Sequence, residues 1–136
     1  FQVVSDGEGI SKLIEVNVSG SKSYKQATLV ATSIANSLLV KTAIAGQDAN
    51  WGRVIMAVGK ADKDINQQKI KLKFGDNPVA INGAMFKGIQ VKKLDLYMRR
   101  KIIEINVNLG LGKFKRTIYS SDLTHEYISI NGDYRS

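Results

Sequence analysis

The chain has no cysteine, a single proline and a single histidine among its 136 residues. Without cysteine there is neither a disulfide framework nor a thiolate metal site, and His125 alone cannot supply a conventional zinc centre, so no metal is expected. Lack of disulfides also favours an intracellular compartment. No stretch approaches the roughly 18 consecutive apolar residues of a membrane span. Phe-Gln-Val-Val-Ser at the start lacks the basic head and long apolar core of a signal peptide. A first residue of Phe rather than Met reads as a piece of a longer polypeptide. What is present is globular in balance: 43% hydrophobic and 24% charged residues, in a length that makes one domain over residues 1–136 with its own core.

A net charge of +8 raises the possibility of a nucleic-acid partner, an anionic metabolite or an acidic chain. The cations are spread rather than clustered. Lys69, Lys71 and Lys73 alternate along one strand, as a basic stripe or as solvated lysines guarding a sheet edge. Lys92-Lys93 and Arg99-Arg100-Lys101 flank a helix. No RNP-type aromatic motif, GxxG clamp or finger spacing accompanies them, so charge is the only argument for a basic nucleic-acid-binding module.

Periodicity predicts the elements. Lys12 to Ser19 alternates, with Ile14, Val16 and Val18 on one side and Leu13, Glu15, Asn17 and Ser19 on the other. Ser21 or Ser23 caps a helix to about Ser37, with Ala27, Ala31, Ile34, Ala35 and Leu38 on one face. The apolar run Leu38 to Ile44 predicts a strand, and Asp48 or Asn50 caps a helix through Trp51, Ile55, Met56 and Val58 towards Gly59. Lys69 to Phe74 and Val79 to Ile81, joined by Gly75-Asp76-Asn77-Pro78, predict a hairpin. A short helix over Leu94 to Arg100 precedes an alternating strand through Ile103, Ile105, Val107 and Leu109. Gly110-Leu111-Gly112 then turns into a strand over Lys113 to Tyr119, and Asp122 or Thr124 caps a last helix carrying Tyr127, Ile128 and Ile130. The fold class is α+β, a mixed α/β arrangement with a sheet covered by helices.

Three polar, glycine-marked strings are poorly explained by packing. Asp6 to Gly9, DGEG, holds Glu8 in a tight backbone at a strand entrance, where a carboxylate suits a substrate ammonium or simply faces solvent in a turn. Gly46 to Arg53, GQDANWGR, opens a helix. Its Arg53 either meets a carboxylate or makes a structural ion pair, and Gly52 permits close approach. Ser121 to Ser136, SDLTHEYISINGDYRS, is dense in hydrogen-bonding groups for a chain end. Ser136 beside a free carboxylate is badly placed as an activated nucleophile, so Ser136, His125 and Asp122 are not read as a triad.

Taken in order, DGEG, ANSLLVKTAIAGQDANWGR and SDLTHEYISINGDY resemble the ornithine acetyltransferase family, the bifunctional glutamate N-acetyltransferases of arginine biosynthesis, over nearly the whole chain. The stretch is similar to the C-terminal portion of the family's β chain. The resemblance implies a larger self-processing, N-terminal-nucleophile-like enzyme whose precursor cleaves itself before a threonine. That threonine then carries acetyl from N-acetylornithine to glutamate. Nucleophile and oxyanion hole would lie upstream, leaving no catalytic residue here. Glu8, Asn131 and Ser136 would contact substrate, Ser136 standing where the family usually ends in threonine. Ser121 stands where the family often has cysteine, Ala49 where it often has proline, and Arg135 replaces a small polar residue. Lys41 and Arg53 fall in matching strings without an assigned role. The resemblance further implies no cofactor, with acetyl-coenzyme A as an alternative donor. It implies a cytoplasmic location, and as partners the α chain and the rest of the β chain in an α2β2 heterotetramer, without nucleic acid or membrane. A related self-processing amidohydrolase, with water as acceptor, is the other enzymatic alternative.

Overall fold

The computed structural model describes residues 12–122. Its spine is a six-stranded mixed sheet in the order β4-β3-β2-β5-β1-β6. The strands are β1 (Leu13–Ser21), β2 (Lys71–Phe74), β3 (Asn77–Ile81), β4 (Ala84–Met85), β5 (Ile102–Asn108) and β6 (Phe114–Ser121). β1 pairs in parallel with β5, Leu13 opposite Ile102 through Ser19 opposite Asn108. It pairs antiparallel with β6 on its other side. All remaining pairs are antiparallel. The helices are α1 (Tyr24–Asn36), α2 (Leu38–Ala45), α3 (Trp51–Ala61) and α4 (Val91–Met98).

Alternation decides which side of the sheet is covered. Ile14, Val16 and Val18 of β1, Leu72 and Phe74 of β2, and Ile103, Ile105 and Val107 of β5 are all buried. They meet Ala27, Val30, Ala31 and Ile34 of α1, Val54 and Val58 of α3, and Leu94 and Met98 of α4 in one cluster. Ser23 starts α1 by accepting from the Gln26 N–H, at 3.0 Å. Arg116 donates to the Tyr24 hydroxyl at 2.6 Å and Ser120 to the Ala35 carbonyl at 2.7 Å, fastening α1 to β6.

The opposite side is polar. Asn17 donates to Asn106 at 2.8 Å and accepts from Thr117 at 2.6 Å, so one row of side chains is laced across β5, β1 and β6. Lys73, opposite Asn106, and Lys71, opposite Asn108, stand on this same side. Because β2 lies between β3 and β5, their alternation marks a sheet face and not an exposed edge.

Lys69, expected in one strand with Lys71 and Lys73, ends a 3-10 turn over Gln67–Lys69, and β2 begins only at Lys71. Two further elements differ from the sequence expectations. Leu38 to Ile44, expected as a strand, is helical as α2. Ser37 serves as C-cap of α1 and N-cap of α2 together, its side chain accepting from the Val40 N–H at 3.2 Å. Val40, Ala43 and Ile44 are buried while Leu38 and Leu39 face outward, a helical spacing that a short uniformly apolar run conceals. The first half is therefore β-α-α-α. Leu38 also leaves the expected face of α1, being 63% exposed beyond the cap. Unforeseen β4 is only two residues long and pairs Ala80 with Met85 and Ile81 with Ala84. The helix expected to follow Asp122 or Thr124 lies outside the described residues, apart from Asp122 itself.

Two substitutions test this packing by chemical denaturation. Ser37→Ala should cost about 1 kcal/mol by removing the cap bond of α2. Ile105→Ala, at the fully buried centre of the sheet, should cost roughly 2–5 kcal/mol.

Candidate functional site

The described chain enters and leaves at one corner. Antiparallel pairing of β1 and β6 sets Leu13 opposite Ser121. The ladder extends one step further, the Asp122 N–H donating to the Lys12 carbonyl at 3.1 Å. The strings holding Glu8 and those holding Asn131 and Ser136 thus attach to neighbouring residues. Lys12 is in phase with Ile14 and Val16, which turns its side chain inward, and it is only 9% exposed. Its ammonium donates to the carbonyls of Met98 at 2.9 Å and Arg100 at 2.5 Å, the free carbonyls where α4 ends. The Leu13 N–H donates to the Lys101 carbonyl at 2.8 Å. α4, β1 and β6 are therefore joined at this point.

Charges here are held away from water. Burial lowers the Lys12 pKa, partly opposed by the negative charge of Asp122. Burial raises the Asp122 carboxyl, opposed by a hydrogen bond from the Lys12 backbone and by the Lys12 charge. Asp122 is 4% exposed, and its Oδ1 has no hydrogen-bond partner among the described residues.

Beside this corner the α4–β5 connection and the β2–β3 turn enclose a pocket of about 580 Å³, lined by Gly75, Asp76, Lys93, Tyr97, Arg100 and Glu104 among others. Tyr97 accepts the Glu104 N–H at 2.8 Å, with the Arg100 guanidinium 5.4 Å from its ring centroid. Burial pushes the Tyr97 hydroxyl above its ordinary value, opposed by the hydrogen bond from the Glu104 backbone and the Arg100 charge and aided by the charges of Glu104 and Glu15, so it stays neutral at neutral pH. Gly75 has φ +60°, and a Cβ there would lie 2.6 Å from the ring. Glycine is what lets the β2–β3 turn and Tyr97 close together. Such a pocket, with cations and carboxylates on one rim, suits a small zwitterionic molecule better than a polyanion.

Glu8, Asn131, Ser136 and His125 lie outside the described residues. Among the described residues the Arg53 guanidinium donates to the Leu39 carbonyl at 2.9 Å. Asn50, and not Asp48, caps α3, accepting from the Arg53 N–H at 3.2 Å. Arg53 lines a groove of about 680 Å³ between α1, the start of α2 and α3, with Leu29, Leu38, Leu39 and Met56. That groove shares no residue with the pocket at the sheet corner. A Cβ on Gly52 would meet only Asn50, at an ordinary 3.5 Å, so no described residue crowds it. Among the described residues no cluster of three His, Asp or Glu side chains could hold a metal ion. No single described helix is long and apolar enough to cross a membrane. Lys12 and Tyr97 were not singled out by sequence. Lys12 carried a signal nonetheless, since a lysine in phase with the inward residues of a strand needs an unusual partner.

The geometry finds its counterpart among known proteins. The ArgJ family model matches residues 1–136. The Arginine biosynthesis bifunctional protein ArgJ of Bartonella henselae is 53% identical over the whole chain, and that of Mesorhizobium japonicum 50%. The chain spans 33% of the length of each of these relatives. The crystal structure of the Arginine biosynthesis bifunctional protein argJ from Bacillus halodurans superposes with a TM-score of 0.81 at 38% identity, over 95% of this chain and 61% of that one. A family match over every residue, joined to a shared mixed α/β fold, shows that this chain belongs to the ArgJ family.

Proposed function

We propose that the chain is the C-terminal portion of the β chain of an acetyltransferase that moves acetyl from N-acetylornithine to glutamate through an acetyl-threonine intermediate. The observation that carries the reading is the match, at about half identity over all 136 residues, to one third of the ArgJ relatives. The nucleophile lies outside the chain in this reading. A threonine hydroxyl attacks the acetyl carbonyl, the amide C–N bond breaks, and the ornithine amine leaves with a proton. Glutamate's amine then attacks the resulting ester, freeing the threonine and giving N-acetylglutamate. Acetyl-coenzyme A is the alternative donor to the same threonine.

Within this scheme the chain binds rather than reacts. Glu8 holds the substrate ammonium, while Asn131 and Ser136 meet its polar groups from the other strand end. The single corner at which both strings attach supports their acting on one molecule. The α chain and the rest of the β chain complete an α2β2 heterotetramer in the cytoplasm.

Intact-mass spectra of the complete protein incubated with N-acetylornithine should show one chain, beginning with threonine, that gains an acetyl group and loses it when glutamate is added. Acetate release without transfer to glutamate would point to an amidohydrolase instead. Glu8→Gln should raise KM for N-acetylornithine roughly thirtyfold or more, the consequence of losing a partner of a desolvated charge. An unchanged KM would remove Glu8 from the site.

A further inference from the structure

We propose that the pocket between the end of α4 and the β2–β3 turn binds a small zwitterion, one carboxylate and one ammonium joined by a short chain. Arg100 and Lys93 hold the carboxylate, and Glu104 and Asp76 the ammonium. None of these residues belongs to the acetyl-transfer reading above, and the inference does not rest on it.

Three observations carry it. First, the wall is formed without a ligand. The Tyr97 hydroxyl accepts the Glu104 N–H at 2.8 Å, the Gly75 N–H donates to the Glu104 carbonyl at 2.9 Å, and the Asn106 amide donates to the Gly75 carbonyl at 2.9 Å. α4, β5 and the β2–β3 turn are thereby locked around one aromatic ring, which spares a ligand the cost of ordering them. At about 580 Å³ the space has the size of a small-molecule site.

Second, the charges are sorted by sign. α4 and the turn after it contribute Lys93, Arg99 and Arg100, whereas the β2–β3 turn and β5 contribute Asp76 and Glu104. Glu15 lies in register beside Glu104, and the negative charges of both act on the Tyr97 hydroxyl. Among the described residues the cations and carboxylates of this pocket form no ion pair with one another. A molecule with one charge of each sign meets both sides. A polyanion would face the carboxylates, and a polycation the guanidinium groups.

Third, the ring between the two sides carries an unused donor. The Tyr97 hydroxyl accepts from Glu104, while its own proton has no acceptor among the described residues. The Arg100 guanidinium lies 5.4 Å from the ring centroid, where stacking orients its fork and leaves N–H groups for a carboxylate. Carbonyls at a helix end would repel that carboxylate, but those of Met98 and Arg100 already accept the Lys12 ammonium.

The test labels the complete protein with meta-fluorotyrosine and follows the Tyr97 fluorine resonance, assigned by its loss in Tyr97→Phe. Titrated with γ-aminobutyrate, this resonance should shift to saturation. Butyrate and butylammonium, with one charge each, should bind at least about tenfold more weakly. Arg100→Gln should raise the Kd for γ-aminobutyrate about tenfold or more and abolish its advantage over butylammonium. Glu104→Gln should weaken it similarly and abolish its advantage over butyrate. These opposite losses of selectivity separate ligand contacts from a structural role, which would weaken all three probes alike. Lys60→Gln, in the groove between α1 and α3, should leave every Kd unchanged. A resonance that no probe moves, or that all three move equally, overturns the proposal. So does one shielded from a soluble gadolinium chelate, because the pocket is then covered in the complete protein. None of these readouts involves acetyl exchange, so failure of the acetyl-transfer reading leaves the test intact.

Discussion

The parallel pairing of β1 with β5 joins residues 89 positions apart, and the remaining contacts are arranged around it. Closing so long a loop carries an entropic cost that precedes any favourable contact it makes possible. What offsets that cost is a continuous apolar side, Ile14, Val16 and Val18 beside Ile103, Ile105 and Val107, which α1, α3 and α4 bury. Once β5 lies beside β1, its free edge receives β2 and the hairpin, while β6 closes the other flank. With β1 beside β5, Lys12 lies within reach of Met98 and Arg100, so the corner depends on the central pairing.

The polar side helps to fix this pairing. Asn17, Asn106 and Thr117 bond across three strands in one row, and Glu15 stands opposite Glu104 on the same side. A slip of one residue would turn these groups into the core and expose the isoleucines, so register is specified from both sides of the sheet. The same side mixes Lys71 and Lys73 with carboxylates and amides, which gives the excess positive charge no single uniformly basic surface among the described residues.

Strand alternation was plainly legible in sequence because burial is one-sided: β1, β2, β5 and β6 fall where the period of two places them. α2 was not legible as a helix, since Leu38, Leu39, Val40, Ala43 and Ile44 read as a continuous apolar run. Only the packing shows that Val40, Ala43 and Ile44 are inward and the two leucines outward. β4 escaped because two residues have no period. Of the site, Glu8, Asn131 and Ser136 came from matching strings and not from physical reasoning, and they lie outside the described residues. Arg53 looked like a ligand for an anion because helix starts suit anions. Its guanidinium also reaches the Leu39 carbonyl, a partner fourteen residues away that no local pattern shows.

The adjacency of Lys12 and Asp122 also has a mechanical meaning. β1 and β6 run antiparallel, and the start of one lies beside the end of the other, so tension applied to the two segments beyond them pulls across the ladder and not along it. Hydrogen bonds loaded in that direction break pair by pair, beginning with Asp122 and Lys12 and then Leu13 with Ser121. The corner is thus where the sheet would unzip, and the lysine braced against α4 is the catch that must give first.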